Sequence, residues 1–307
     1  MIGVIRPIRL PDAGVVGAFT PSDPITEHRG SGIERGVSLL RSSGLNVRFS
    51  RNAFGCVGHV SAAAETRAAD MADLATDNRI HALMATCGGK CSNAVIVHLD
   101  YDLLLRARKP VTGFSDAGVI LNAITAQTGL VTFYGPNVLS KLHETTHYAL
   151  GSLRKPQSHE LRESAHAIML APGTVEGRLI GGNLSTFTIS IAGTEFEPRF
   201  PQTILFWEAG TRDWRLIDQY LTALEIRGVM SRICGMLIGK IGESAELHPA
   251  EQSFLRDRLK RFRIPVLWMP TFGHGDAENP IWPIGGLVRL DATFAKVICL
   301  EPFVDPR

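Results

Sequence analysis

From Val15 to Tyr134 the chain takes short apolar runs in turn with segments of helical spacing, and this alternation restricts the fold more than any other feature. The runs Val15–Phe19, Leu45–Phe49, His81–Thr86, Lys109–Thr112 and Leu130–Tyr134 read as strands. Between them Ile33 to Leu40, Ala62 to Leu74 and Ala117 to Ala126 read as helices, and a further helix follows Lys90. Strands joined by helices of this length require right-handed crossovers, hence a parallel sheet covered on both faces. Ligands of such sheets bind beyond the carboxyl ends of the strands. The turn-rich Thr20-Pro21-Ser22-Asp23-Pro24, the pair Gly88-Gly89 and Ser115 all fall at those ends.

After Tyr134 the pattern breaks. The polar stretch Ser140 to Gly173 reads as a linker with some helix, and a second module follows. Its strands are Thr174–Ile180, Thr203–Trp207 closed by Glu208, Gly235–Lys240, Pro265–Met269, Leu287–Leu290 and Lys296–Leu300. Its helices are Asn183 to Ile191, Trp214 to Ile226 and Glu251 to Phe262. The expected organisation is a nucleophile-bearing domain over 1–140, a linker over 141–173 and a second domain over 174–307.

Composition removes several classes of function. A formal charge of +2 without a basic run leaves no electrostatic footprint for nucleic acid. No segment is apolar enough for a signal peptide or a membrane span, so the expectation is a cytoplasmic protein. Five cysteines without a C-x-x-C pair point to neither a disulfide framework nor a thiolate metal cluster.

Two constellations could carry chemistry. In the first, Ser115 sits where a strand turns into a helix; such a serine is either an exposed nucleophile or a helix cap. A serine hydroxyl needs a histidine to take its proton, and the histidine needs a carboxylate to fix its tautomer. His274, bracketed by Gly273 and Gly275, and Glu208, expected at a sheet edge or rim, could supply them. The amide N–H groups near Gly89 and at Asp116 could hold an oxyanion. Gly88 and Trp207 are expected at the substrate, since Trp207 adjoins a site-bearing loop and could stack on a base or peptide. The second constellation is His143-Glu144-Thr145-Thr146-His147, a literal H-E-x-x-H. On a helix it would hold zinc with Glu144 as general base, but two threonines are weak helix formers and the motif lies in the apparent linker.

Taken together, Gly88-Gly89, Gly113-Phe114-Ser115-Asp116, Phe133-Tyr134-Gly135-Pro136, Gly181-Gly182-Asn183, Leu205-Phe206-Trp207-Glu208 and Phe272-Gly273-His274 resemble, in order, the LD-carboxypeptidase and microcin C immunity serine peptidases. The Phe-Tyr-Gly-Pro run and the segment Gly88 to Asn93 resemble the immunity branch more than the cell-wall branch. The resemblance implies an α/β fold, with a flavodoxin-like N-terminal domain and a smaller, swivelling, β-rich C-terminal domain. It implies a homodimer with no cofactor and no metal, and a triad matching Ser115, Glu208 and His274. The substrate it implies is a small peptide or aminoacyl-nucleotide, cleaved at an amide bond in microcin-type detoxification. The alternative is removal of the terminal D-alanine of muropeptides. The chain departs from the family pattern at Cys91, Gly118 and Ala209.

Overall fold

The computed structural model describes residues 3–26, 30–139, 150–156 and 160–306. The first sheet contains β1 (Val15–Phe19), β2 (Asn46–Phe49), β3 (Ala82–Ala85), β4 (Val111–Gly113) and β5 (Thr132–Tyr134). These strands lie parallel in the order β5-β4-β3-β1-β2, linked by helices that include Gly30–Ser42, Ala64–Thr76 and Gly118–Thr128. Every residue of β3, β4 and β5 is buried, as a parallel sheet with helices on both faces requires. β1, β3 and β4 are neighbours, so the segments after Phe19, Ala85 and Gly113 emerge side by side at one edge.

The second sheet is larger. It contains β6 (Glu160–Glu163), β7 (Ile168–Ala171), β8 (Thr174–Asn183), β9 (Thr203–Ala209), β10 (Ile233–Ile241) and β11 (Val266–Trp268). After β12 (Trp282–Ile284), it is completed by β13 (Leu287–Asp291) and β14 (Lys296–Cys299), in the order β6-β14-β13-β8-β9-β10-β11-β7. Its centre, β8 to β11, is parallel, and antiparallel strands flank it. β12 instead joins the first sheet, antiparallel to β5, with Pro283 opposite Phe133. Among the described residues no helix is long and apolar enough to cross a membrane.

One expectation is corrected here, and one strand is added. Part of the supposed linker forms β6 and β7, the two edges of the second sheet. β6, Glu160-Leu161-Arg162-Glu163, is polar as an edge strand often is and lacks the apolar run that marks an interior strand. β7, Ile168-Met169-Leu170-Ala171, is by contrast an apolar run, only four residues long within the polar stretch. β12 escaped notice because it is three residues long with a proline at its middle, which an edge position tolerates. The H-E-x-x-H motif, His143 to His147, lies outside the described residues.

Candidate active site

Ser115 is held by its backbone. It follows β4 with φ 60°, in the left-handed region, then opens a short 3-10 turn into the helix Gly118–Thr128. A non-glycine residue there costs about 1 kcal/mol or more and persists only where its surroundings enforce it. They do: the Phe114 N–H donates to Asn137 Oδ1 at 2.8 Å and the Ser115 N–H donates to the Tyr134 hydroxyl at 3.1 Å. The hydroxyl is thereby lifted clear of the sheet, so the elbow is more than a helix cap.

The histidine and the carboxylate come from the second sheet. β9 ends at Glu208 and Ala209, and its alternation turns Phe206 and Glu208 to one face and Trp207 to the other. Glu208 was expected at a rim; it sits at the carboxyl end of a central strand and is 0% exposed. It stays there because its oxygens are satisfied: Oε1 accepts from the Tyr134 hydroxyl at 2.8 Å and from Asn183 Nδ2 at 3.0 Å. Its Oε2 lies 2.7 Å from His274 Nδ1, and His274 Nε2 lies 3.2 Å from Ser115 Oγ. A carboxylate only accepts, so the proton of the neutral imidazole belongs on Nδ1 and the Nε2 lone pair faces the serine hydroxyl. The loop that brings the ring in is closed by Asn279, whose side chain both accepts from the Gly273 N–H and donates to the Gly273 carbonyl.

Burial of the His274 ring pushes its pKa down, but the adjacent Glu208 charge and hydrogen bond, with the Glu243 charge, outweigh this and leave it above the usual histidine range. Burial pushes the Tyr134 phenol well above its ordinary value, and the Glu208 carboxylate adds to the shift, so the hydroxyl remains a donor throughout the working pH range.

The loop after β3 completes the site. A Cβ on Gly88 would lie 3.0 Å from Ser115 Cβ, and one on Gly89 would lie 2.2 Å from Ser22 Oγ, so both backbones approach closely only as glycine. Ser22 Oγ accepts from the N–H groups of Lys90 and Cys91 at 3.0 and 2.8 Å, and Asp116 Oδ2 accepts from the Ser92 N–H at 2.9 Å. The loop is thus tied at one end to the turn after β1 and at the other to the residue following Ser115. Two cavities, of about 460 and 500 Å³, share Gly89, Ser115 and His274. Asp23, Arg35 and Asn137 line the first, and Lys90, Asn183 and Tyr220 the second.

Of the residues the sequence singled out, Ser115, Glu208, His274, Gly88, Gly89 and Asp116 therefore lie in one place. Trp207 does not join them: it is 1% exposed and packs on the far face of β9. Among the described residues no group of three His, Cys, Asp or Glu side chains is arranged to hold a metal ion. Tyr134 and Asn183 entered only within the resembling motifs and were given no role, although each ends a strand at the edge where ligands bind.

The geometry agrees with what the chain is similar to. Residues 16–135 match the LD-carboxypeptidase N-terminal domain, and residues 176–290 match the LD-carboxypeptidase C-terminal domain. The microcin C7 self-immunity protein MccF of Escherichia coli is 30% identical over 287 residues, covering 82% of this chain and 83% of that protein. The crystal structure of an MccF-like protein from Bacillus anthracis superposes with a TM-score of 0.86 at 26% identity, covering 97% of this chain and 100% of that one. A muramoyltetrapeptide carboxypeptidase from Oxalobacter formigenes gives a TM-score of 0.77 at 25% identity, covering 94% and 99%. Matched in both halves, the chain belongs to the LD-carboxypeptidase family of serine peptidases.

Proposed function

We propose that Ser115, His274 and Glu208 form the catalytic triad of an amide hydrolase. The observation that carries this reading is the unbroken line from Ser115 Oγ through His274 to a fully buried Glu208, at 3.2 and 2.7 Å, where two cavities meet. Ser115 Oγ attacks the scissile carbonyl while His274 Nε2 takes its proton. Glu208 holds the ring and balances the imidazolium. The oxyanion is stabilised by N–H groups of Gly89 and Asp116. His274 then protonates the leaving nitrogen, the C–N bond breaks, and water, deprotonated by the same imidazole, releases the acyl group from Ser115.

The substrate we favour is an aminoacyl- or peptidyl-nucleotide, cleaved at the amide bond in a microcin-type detoxification. Support comes from the MccF likeness, and MccF has been solved with glutamyl sulfamoyl guanosine and with aspartyl sulfamoyl adenosine. A muropeptide is the alternative substrate, and the aromatic residues bear on the choice. Trp207, Trp268 and Trp282 are at most 1% exposed, Trp214 packs on Phe254 and donates to Glu251, and no tryptophan lines either cavity. A stacking platform for a nucleobase would come from another aromatic, and Phe114 and Tyr220 line the two cavities. In this reading the enzyme acts in the cytoplasm as a homodimer, with a domain over 1–140 supplying Ser115 and one over 174–307 supplying Glu208 and His274.

The test is hydrolysis of an aminoacyl-sulfamoyl-adenosine and of a D-alanine-ended muropeptide by wild type and Ser115→Ala, each with and without EDTA. Turnover that needs Ser115 and ignores EDTA supports the triad, and the substrate turned over selects the branch. Activity that survives Ser115→Ala and dies with EDTA would move the site to His143, Glu144 and His147.

A further inference from the structure

One buried side chain touches both halves of the triad and belongs to neither. The Tyr134 hydroxyl accepts the Ser115 N–H at 3.1 Å and donates to Glu208 Oε1 at 2.8 Å. It thus joins the strained backbone of the first sheet's elbow to the carboxylate of the second sheet. The ring is seated for this. It is 1% exposed, and a Cβ on Gly118 or on Gly182 would come within 3.0 and 2.8 Å of its edge, one glycine from each half of the chain. Phe114 and Phe206 pack against the ring with centroids 5.1 and 5.5 Å away. Gly118, one of the departures from the family pattern, therefore makes room for the phenol together with Gly182.

We propose that Tyr134 is a positioning residue of the reaction: its hydroxyl sets Glu208 and the Ser115 backbone in register across the junction of the two sheets. The inference rests on the triad reading. It has a chemical corollary, because the Ser115 N–H is spent on Tyr134 and the oxyanion donors must come from its neighbours. It also has an electrostatic one. Each donor to Glu208 disperses the carboxylate charge that His274 senses. Other charged groups around that ring are Glu243 on the turn after β10, Asp276 on the histidine's own loop, and the buried Lys240 of β10 beneath Gly273, with Asp23, Arg35, Lys90 and Asp116 lining the cavities it faces.

Tyr134→Phe keeps the ring and removes the hydroxyl. The expected result is a kcat lower by about 10- to 100-fold, the rate equivalent of one hydrogen bond to a charged group, with KM little changed. The undispersed carboxylate then pulls harder on the histidine proton, so the acid limb of kcat/KM moves to higher pH. Site-specific 3-fluorotyrosine at position 134 retains the packing with a stronger donor, and moves the limb to lower pH. A purely structural tyrosine would not move the limb in opposite senses in the two variants. The proposal is overturned if Tyr134→Phe holds kcat within about two-fold, or if the two limbs do not diverge. Ser115→Ala is measured alongside: if it remains active, the triad reading has failed, whereas a dead Ser115→Ala beside a normal Tyr134→Phe removes Tyr134 alone.

Discussion

The two halves of this site are held by different means. On the first sheet Ser115 is placed chiefly by main-chain conformation, through a left-handed φ at an elbow whose N–H groups Asn137 and Tyr134 accept, and through a glycine loop with no room for a side chain. On the second sheet Glu208 is placed by side-chain hydrogen bonds from Tyr134 and Asn183, and the loop that carries His274 is clamped by the Asn279 side chain on the Gly273 backbone. A backbone-built element fails all at once when a Cβ or a wrong φ is introduced. A network of side chains loses its partners one at a time and degrades in steps. The comparison predicts how each half responds to substitution.

The largest effect belongs to the nucleophile. Ser115→Ala should lower kcat by about 10⁴- to 10⁶-fold while leaving the fold intact, because triad members act as a unit. Alanine is no worse than serine at φ 60°, so thermal unfolding should hardly change, and steady-state kinetics with a melting curve check both. A large loss of stability would mean that the Ser115 side chain, and not its backbone setting, holds the elbow.

Glu208→Gln comes next and probes the other half. The amide keeps the volume and removes the charge, so kcat should fall by about 10⁴-fold, as when the carboxylate of such a triad is replaced by its amide. It also changes the pH profile in a determined direction. The fold raises the His274 pKa through Glu208, and the base must be neutral to act, so wild-type kcat/KM should fall off in acid at a pH above the ordinary histidine value of about 6.5. Without the charge, burial dominates and the limb should move to lower pH. Stability runs the opposite way from activity. A raised histidine pKa stabilises the fold below the unfolded-state value, and that contribution is lost as pH rises through the folded-state value. An acid limb that stays in place in Glu208→Gln would separate the carboxylate from the histidine.

Gly89→Ala tests the brittleness of the backbone-built half. A Cβ there meets Ser22 Oγ at 2.2 Å and Asp23 Oδ1 at 2.3 Å, and Ser22 is the acceptor that holds the loop. Overpacking of this kind costs about 1–3 kcal/mol, and the loop should shift relative to Ser115. The expected outcome is a lower melting temperature together with a kcat loss larger than that stability change would cause. Asn183→Ala, by contrast, removes one of three partners of Glu208, so about tenfold in kcat is expected, the step-like response of the networked half.

The same contrast explains what was legible in the sequence. The alternation of elements set the parallel sheet and its binding edge, and at that edge Ser115, Gly88 and Gly89 could be recognised by position. Glu208 and His274 stood out as a polar group ending an apolar strand and as a glycine-bracketed imidazole. Tyr134 and Asn183 did not, because their work depends on which strand of the other sheet lies opposite. A tyrosine closing a buried strand reads as packing until Glu208 is placed 2.8 Å from its hydroxyl. The edge strands β6 and β7 were hidden for a related reason, since their pairing partners lie far along the chain.

Trp207 carries the smallest predicted effect and bears on the logic of alternation directly. It adjoins Glu208 in sequence, yet one step along a strand reverses the face, so the two side chains point to opposite sides of β9. Its indole N–H is buried without a protein partner among the described residues. Trp207→Phe therefore removes apolar contact and, in the same stroke, an unsatisfied donor, and two opposing contributions of about 1–3 kcal/mol each should nearly offset. The expectation is a melting temperature within a few degrees of wild type and an unchanged KM for either substrate. A raised KM would mean that the indole reaches the substrate after all, and that β9 turns over at its carboxyl end when ligand binds.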